Sequence, residues 1–452
     1  MQTTATRPTR GSEVELSVDS LAYGGAGVAR LDSYVVFVEG AVPGDRVRAV
    51  VNKAKRSYAN ARVVEVVKPG DDRIDPVADH PGAAWQVLAY GRQLETKQAQ
   101  VEEALRRIGG LNGFVLEPIV PAAEQWRYRN KLEYSFGGGS GEALRCGFHA
   151  PGRWDEIVDM HDCLLASAAA NEARNRIASW CRAQRLEPYD RHTGGGLLRN
   201  LVVREGRHTG DLQVRLVTSD GDLDRQGLAS AAPALASVLW TRISSVAEVT
   251  QGGETELVAG SEWLEEELLG LRFRLSPEAF FQTNTEMAQR LFQTAIEYAN
   301  PSGFERLYDL YCGIGTIGLL MAPRAGEVLG LEVAPEAVAD AIANARANEI
   351  DNARFYAGDV RLALRDLVAR AGSPDFIVID PPRAGLSKKV VRRIIEASPR
   401  RIVYVSCNPT TLAPNAAQLE EAGYMLTRVR PVDMFPQTPH IECVALLERR
   451  PG

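Results

Sequence analysis

The sequence predicts a multidomain α/β protein: a small N-terminal β-barrel, a central α+β domain, and a C-terminal domain built on a nucleotide-type parallel sheet. Three observations predict it. The chain has 452 residues, too many for one ordinary core. Short alternating runs broken by turn clusters fill the first 68 residues. From about residue 305, apolar strands alternate with helical stretches, the pattern of a parallel sheet with crossover helices. The expected boundaries are 10–69, 70–265 and 266–452, with helix 93–110 packing on the third part.

Composition narrows the function classes. Apolar residues are 45% and charged residues 24%, a profile of globular proteins. No apolar run is long enough to span a bilayer, and the polar start MQTTATRPTR lacks a signal-peptide core, so a cytoplasmic protein without membrane association is expected. The six cysteines are scattered, with no CxxC pair, which excludes a disulfide framework. The net charge of −6 speaks against a general nucleic-acid binder. Its distribution is uneven, however. Residues 1–70 carry 10 Lys/Arg against 7 Asp/Glu, so a basic module precedes an acidic body.

Within the first part, strands are expected at 14–18, 33–38, 46–51 and 61–67, separated by glycine-rich turns and the basic hairpin 53–58. Strands this short and evenly spaced favour a small barrel. Lys53, Lys55, Arg56 and Tyr58 form a cation and aromatic set suited to single-stranded RNA; a solubilising hairpin explains them equally well. Gly-Gly-x-Gly-Val-Ala-Arg, then Val-Phe-Val-x-Gly-Ala-x-Pro-Gly-Asp, then Lys-x-x-x-x-Tyr-x-x-Ala together resemble a TRAM domain. That resemblance implies an OB-like RNA-binding barrel.

The turn-rich stretch 69–73 ends this part. Leu94, Val101, Leu105 and Ile108 share one helix face, and Gly109-Gly110 stops the helix. Strands near 130–136, 198–204 and 212–218 and a helix near 165–185 make the central part α+β. Trp126-Arg127-Tyr128-Arg129-Asn130-Lys131 interleaves three cations with two aromatics, an RNA-like composition or a solvated strand edge.

In the third part, strand 306–311 leads into the turn Gly313-Ile314-Gly315-Thr316 and a helix; strands 328–333, 375–380, 401–406 and 443–447 and helix 335–349 follow. Glycines at a strand–helix turn let a ligand approach the backbone. About twenty residues on, the second strand ends at Glu332, where an acidic side chain can bind ribose hydroxyls. No basic cluster follows the glycines, so a nucleoside such as S-adenosylmethionine fits better than a polyphosphate. Asp359, in Ala357-Gly358-Asp359 after a further predicted strand between helix 335–349 and strand 375–380, can reach an adenine edge. Asp380-Pro381-Pro382-Arg383 fixes a carboxylate at the sheet's carboxyl edge. Enzymes that methylate exocyclic amines need an aromatic residue where Arg383 stands, which argues against that chemistry.

Val403-Tyr404-Val405-Ser406-Cys407-Asn408-Pro409 reads as a buried strand stopped abruptly by proline, with a thiol at its end. Carbon 5 of uracil becomes nucleophilic only after something adds at carbon 6, and a thiolate suits that addition. The proton on carbon 5 must then leave to a positioned base. Glu442 and His440 are the two candidates near the chain's end.

Five motifs occur in order: Phe280-Phe281-Gln282-Thr283-Asn284, Asp309 to Thr316, Asp380 to Arg383, Ser406 to Pro409, and His440-Ile441-Glu442. With Leu198-Arg199-Asn200 and 126–131, they resemble the RNA 5-methyluridine methyltransferase family over nearly the whole chain. The resemblance implies a Rossmann-like methyltransferase domain and S-adenosylmethionine as cofactor. It implies Cys407 as nucleophile, Glu442 as base, and Gln282, Tyr311, Glu332, Asp359 and Asp380 as cofactor-binding residues. It also implies an RNA partner: 23S rRNA is favoured by the barrel, tRNA is the alternative, and a non-catalytic RNA assembly factor is the rival class. A monomer is expected.

The chain departs from this pattern in two places. Many relatives with the barrel hold an iron–sulfur cluster with three cysteines ahead of a Gln-Leu-x-x-Lys helix and a fourth farther on. Here Gln93-Leu94-Glu95-Thr96-Lys97 is present, yet 79–86 contains no cysteine and only Cys163 stands at the fourth position. One thiolate does not hold a four-iron cluster, so no metal site is expected, and packing around Trp85 is expected in its place. The glycine turn also has Ile314 and Thr316 where several relatives have Asn.

Overall fold

The computed structural model describes residues 7–138 and 143–450; the first six residues of the polar N-terminal stretch lie outside the described residues. Glu13–Leu21, Gly27–Leu31, Tyr34–Glu39, Arg46–Ala54 and Tyr58–Lys68 close into a barrel, with the fifth strand lying between the third and the fourth. Strict alternation drives it: Val47, Ala49 and Val51 point inward and are buried, while Arg46 and Arg48 between them face water. The sequence reading missed Gly27–Leu31. Five residues beginning with glycine carry too little alternation to register as a strand, and the pairing that stabilises them is non-local.

A seven-stranded sheet forms the middle of the molecule, in the spatial order Glu254–Gly260, Ser237–Arg242, Leu212–Thr218, Leu198–Glu205, Lys131–Gly137, Arg145–Ala150, Arg153–Asp159. Helix Ala168–Ala183, capped by Ser167, buries Ile177, Ala178 and Cys181 beside this sheet.

The C-terminal sheet has eight strands in the order Ala353–Ala357, Glu327–Glu332, Arg306–Leu310, Phe376–Ile379, Arg401–Ser406, Glu442–Arg449, Tyr424–Val432, Val115–Leu116. The first five are parallel. Helices Thr285–Ala299, Thr316–Met321 and Pro335–Ala347 cover one face; Val360–Ala371, Lys388–Ala397 and Pro409–Glu421 cover the other. Arg401–Ser406 is apolar on both sides for that reason: Val403 and Val405 enter one core, Ile402 and Tyr404 the other.

The sheet is not wholly parallel, as alternation alone implied. Glu442–Arg449 runs antiparallel to both neighbours. Strand Tyr424–Val432, absent from the sequence reading, precedes it without an intervening helix, and a parallel return needs a crossover of about a dozen residues or more.

The segment between barrel and central sheet belongs spatially to the C-terminal core. Helix Tyr90–Glu103 continues as a π-helical turn, Ala104–Ile108, and stops at Gly109. Val101, Leu105, Leu111 and Phe114 pack into the core of the last sheet, and Val115–Leu116 pairs with its edge. Among the described residues no helix is long and apolar enough to cross a membrane.

Candidate active site

Strand order reverses between Arg306–Leu310 and Phe376–Ile379, and a cleft of about 1300 Å³ opens there, outside the strands' carboxyl ends. Its walls hold Gln282, Tyr311, Glu332, Asp380, Cys407 and Glu442. Asp359 is not among the lining residues: it caps helix Val360–Ala371 through the Arg361 amide (2.8 Å) and is ion-paired to the Arg361 side chain. Burial raises the Tyr311 phenol, and the charge of Asp359 raises it further.

The glycine turn is tightly specified. Tyr311, Gly313 and Gly315 have φ of 63°, 52° and 82°. A Cβ on Gly315 would meet Phe355 at 2.9 Å, and one on Gly330 would meet the same ring at 2.2 Å. Glu332 is fixed by the amides of Gly313 (3.1 Å), Val333 (2.7 Å) and Ala334 (3.0 Å). Behind the turn, Asp309 Oδ2 accepts from the Gly318 amide (2.8 Å), while Oδ1 is buried and unpartnered. Burial pushes the Asp309 carboxyl up to about 7, and Asp380 likewise to about 7, the latter opposed by a hydrogen bond with Gln282. Motif matching passed over Asp309 as a site residue; an acid ending a strand just before a glycine turn was the available signal. An unpartnered carboxyl oxygen at the wall of this cleft, ionised once a positive charge arrives, suits a ligand carrying an ammonium or sulfonium charge, as S-adenosylmethionine does.

Cys407 and Glu442 meet through register. Ser406 pairs with Cys443 across the antiparallel strands, and one step further sets Cys407 opposite Glu442. Asn408 caps helix Pro409–Glu421, accepting from the Thr410 amide (3.0 Å) while its own amide donates to Arg383 O (3.1 Å). The cysteine turn and the Asp-Pro-Pro-Arg turn are therefore tied together. Burial, then Glu442 and Asp380, push the Cys407 thiol up to about 11, opposed by Arg383. Glu442 is 5% exposed and held well above the usual carboxyl range by burial and Asp380. His440 is pushed down to about 4 by burial, Arg383, Arg129 and Lys97.

Several residues here escaped the sequence reading. Tyr23, on a barrel loop, packs against the C-terminal core; burial raises its phenol, opposed by the adjacent Arg383. The same loop touches the strand-end loop, since a Cβ on Gly25 would lie 2.8 Å from Pro439. The stretch 126–131 is neither a free RNA platform nor a solvated edge. Tyr128 is buried and donates to Pro436 O (3.1 Å), Arg127 pairs with Asp162 (2.6 Å), and Asn130 donates to Gln282 O (2.9 Å). Arg129 alone reaches the cleft, 5.6 Å from the Phe435 ring centroid.

Cys163, the one cysteine left of the cluster pattern, is buried with His80 Nε2 at 3.2 Å. Among the described residues no group of three or more His, Cys, Asp or Glu is arranged to hold a metal, and one thiol with one imidazole does not fit a four-iron cluster. Trp85 is buried in a small cluster with Leu21, Val42 and Leu88, its indole donating to Gly25 O (3.4 Å).

Comparison with known proteins accounts for this arrangement. The tRNA (Uracil-5-)-methyltransferase family profile matches residues 210–450, and the TRAM domain profile matches 7–64. An uncharacterized RNA methyltransferase of Halalkalibacterium halodurans is 36% identical over 444 residues, 96% of each chain. Another, from Bacteroides thetaiotaomicron, is 37% identical over 95% of this chain and 100% of its own. The crystal structure of Pyrococcus abyssi tRNA (uracil-54, C5)-methyltransferase with S-adenosyl-L-homocysteine superposes with a TM-score of 0.78 at 28% identity, covering 96% of this chain and 100% of that one. The thiol and carboxyl at the end of one antiparallel pair, the cofactor-type turn and the barrel thus have one explanation: the chain belongs to the tRNA (uracil-5-)-methyltransferase family, S-adenosylmethionine-dependent RNA methyltransferases acting on carbon 5 of uracil.

Proposed function

We propose that the chain methylates carbon 5 of one uridine in structured RNA through a covalent adduct between Cys407 and carbon 6, and that its target is 23S rRNA. The observation that carries the adduct is the placement of Cys407 across from Glu442 in the cleft that also holds the glycine turn. Gln282, Tyr311, Glu332 and Asp380 would hold the cofactor, with Asp359 acting on it only through its charge near Tyr311. When bound, S-adenosylmethionine supplies an electrophilic methyl on a cationic sulfur.

The electrostatics give the residues an order of action. In the free protein Cys407 and Glu442 hold their protons, because burial and the neighbouring Asp380 disfavour further negative charge. A positive charge in the cleft reverses that preference, and Arg383 already favours the ionised forms. The Cys407 thiol gives its proton to solvent and adds as the thiolate to carbon 6, and the electron pair of the 5,6 double bond moves to carbon 5 and the adjacent carbonyl. Carbon 5 takes the methyl. By then Glu442 has lost its own proton to solvent, its carboxylate form favoured by Arg383. Glu442 removes the proton from carbon 5; the double bond re-forms and the carbon–sulfur bond breaks, returning the thiolate. The target base must leave its stack to reach this depth.

A tRNA target is the second reading, supported by the likeness to the Pyrococcus abyssi tRNA enzyme. Incubating the protein and methyl-labelled cofactor with total RNA from a strain lacking its gene tests both. Labelled 5-methyluridine in 23S rRNA is expected. Label confined to tRNA transfers the assignment, and the absence of labelled 5-methyluridine from both overturns it.

A further inference from the structure

The Gln-Leu-x-x-Lys helix follows no set of cysteines in this chain, yet its two polar side chains, Gln93 and Lys97, are fully buried at 0% exposure. Both reach the loop that runs from strand Tyr424–Val432 to Glu442. Lys97 Nζ donates to Asp433 Oδ1 (2.6 Å) and Phe435 O (3.0 Å). Gln93 reads Gln437 twice: Nε2 donates to its Oε1 (2.8 Å), and Oε1 accepts from its amide (2.9 Å). Tyr90 donates to Asp433 Oδ2 (2.9 Å). The amide of Trp85 donates to Gln437 O (2.8 Å).

We infer that Gln93 and Lys97 are positioning residues for proton removal: they hold the 433–438 loop in the one form that sets Glu442 across from Cys407. The inference rests on the adduct reading above.

Two physical arguments support it. Gln437 has φ of 66°, a left-handed conformation that a non-glycine residue keeps only where its neighbours fix it, and Gln93 fixes it from both sides. A buried ion pair adds little net stability, since apolar side chains of the same volume often do as well. Lys97–Asp433 therefore makes better sense as a register device than as a stabiliser. Lys97 gains a backbone carbonyl of the loop as well as a carboxylate, which an apolar pair would not specify. The loop so held also carries Phe435 and His440, whose rings meet edge to face at 5.9 Å on the cleft wall.

The test separates attack from release. Two variants are made, Gln93→Met, and Lys97→Met combined with Asp433→Asn so that no charge is left buried alone. Three quantities are measured: binding of labelled cofactor, adduct formation with RNA bearing 5-fluorouridine at the target, whose fluorine blocks release, and adduct lifetime with the uridine RNA. Both variants should bind cofactor and form the fluorinated adduct as the wild type does, yet release the uridine adduct at least about tenfold more slowly, as misplaced catalytic groups do. Release at the wild-type rate, or parallel loss of all three quantities, overturns the inference. Failure of the wild type itself to form an adduct overturns the adduct reading and this inference together, and is recognised without any variant.

Discussion

Cys407 and Glu442 stand opposite each other because Ser406 pairs with Cys443 one step earlier in an antiparallel register. The two residues are 35 positions apart in the chain and come from strands of opposite direction. Burial first, and negative neighbours second, hold both groups protonated in the free cleft: Glu442 and Asp380 raise the Cys407 thiol, and Asp380 raises Glu442.

Replacing Cys407 by alanine should reduce methyl transfer by at least about a thousandfold, as loss of a nucleophile does, while cofactor affinity stays within about twofold. Glu442→Gln should instead leave a protein–RNA adduct visible on a denaturing gel. Turnover of Cys407→Ala close to the wild type would refute the mechanism.

Asp380 ionises in the folded cleft only near pH 7 against a usual value near 4. A raised carboxyl contributes stability below its unfolded value and loses it as pH rises through about 7. Lowered histidines such as His440 act in the opposite sense below about 6.5, so the contrast is best read as a difference between proteins. Asp380→Asn should gain in melting temperature over the wild type between pH 6 and pH 8. Equal differences at both values would show that the carboxyl is not buried as described.

Cofactor binding should draw protons out of the same cleft. If Asp309 and Asp380 meet the ligand ionised, calorimetry in buffers of different ionisation enthalpy should detect proton release at pH 6 and little at pH 8.5. Affinity should rise with pH across this window, by at most about tenfold per unit for each proton released.

Gly315→Ala places a Cβ 2.9 Å from Phe355 on a backbone with φ of 82°. Strain and overpacking together should cost roughly 1–3 kcal/mol in denaturant unfolding. Cofactor affinity should fall further than at Gly313→Ala, where no atom lies within 4 Å of the added carbon.

Asn408→Ala removes both a helix cap and the bond to Arg383 O. The cap alone is worth about 1 kcal/mol. Loss of kcat well beyond that expected from stability, with KM for RNA unchanged, would show that the tie between the two turns positions Cys407; a proportional loss of both would show only a weaker helix.

The outline of the fold could be read because it depends on local patterns. Period-two alternation marked most of the barrel, and Arg401–Ser406 was recognisable from its unbroken apolar run. The composition of 126–131 misled for the same reason: three cations and two aromatics look like an RNA surface until Tyr128 and Asn130 are seen turned toward the cleft's supporting loops. Asp359 was placed by motif among the cofactor residues, whereas its side chain caps a helix and pairs with Arg361. Tyr23, Gln93 and Lys97 act across contacts of hundreds of residues in sequence separation, which no periodicity reports.

The sequence by itself determined the chemistry on offer: a thiol at a strand end, a late carboxyl, a glycine turn and a missing set of cysteines, all functions of residue type and spacing. Only the tertiary structure decided how these are used. An antiparallel last strand faces Glu442 to Cys407, burial lifts both proton affinities, and a distant helix holds the connecting loop, because register, desolvation and side-chain reach exist only once the chain is packed.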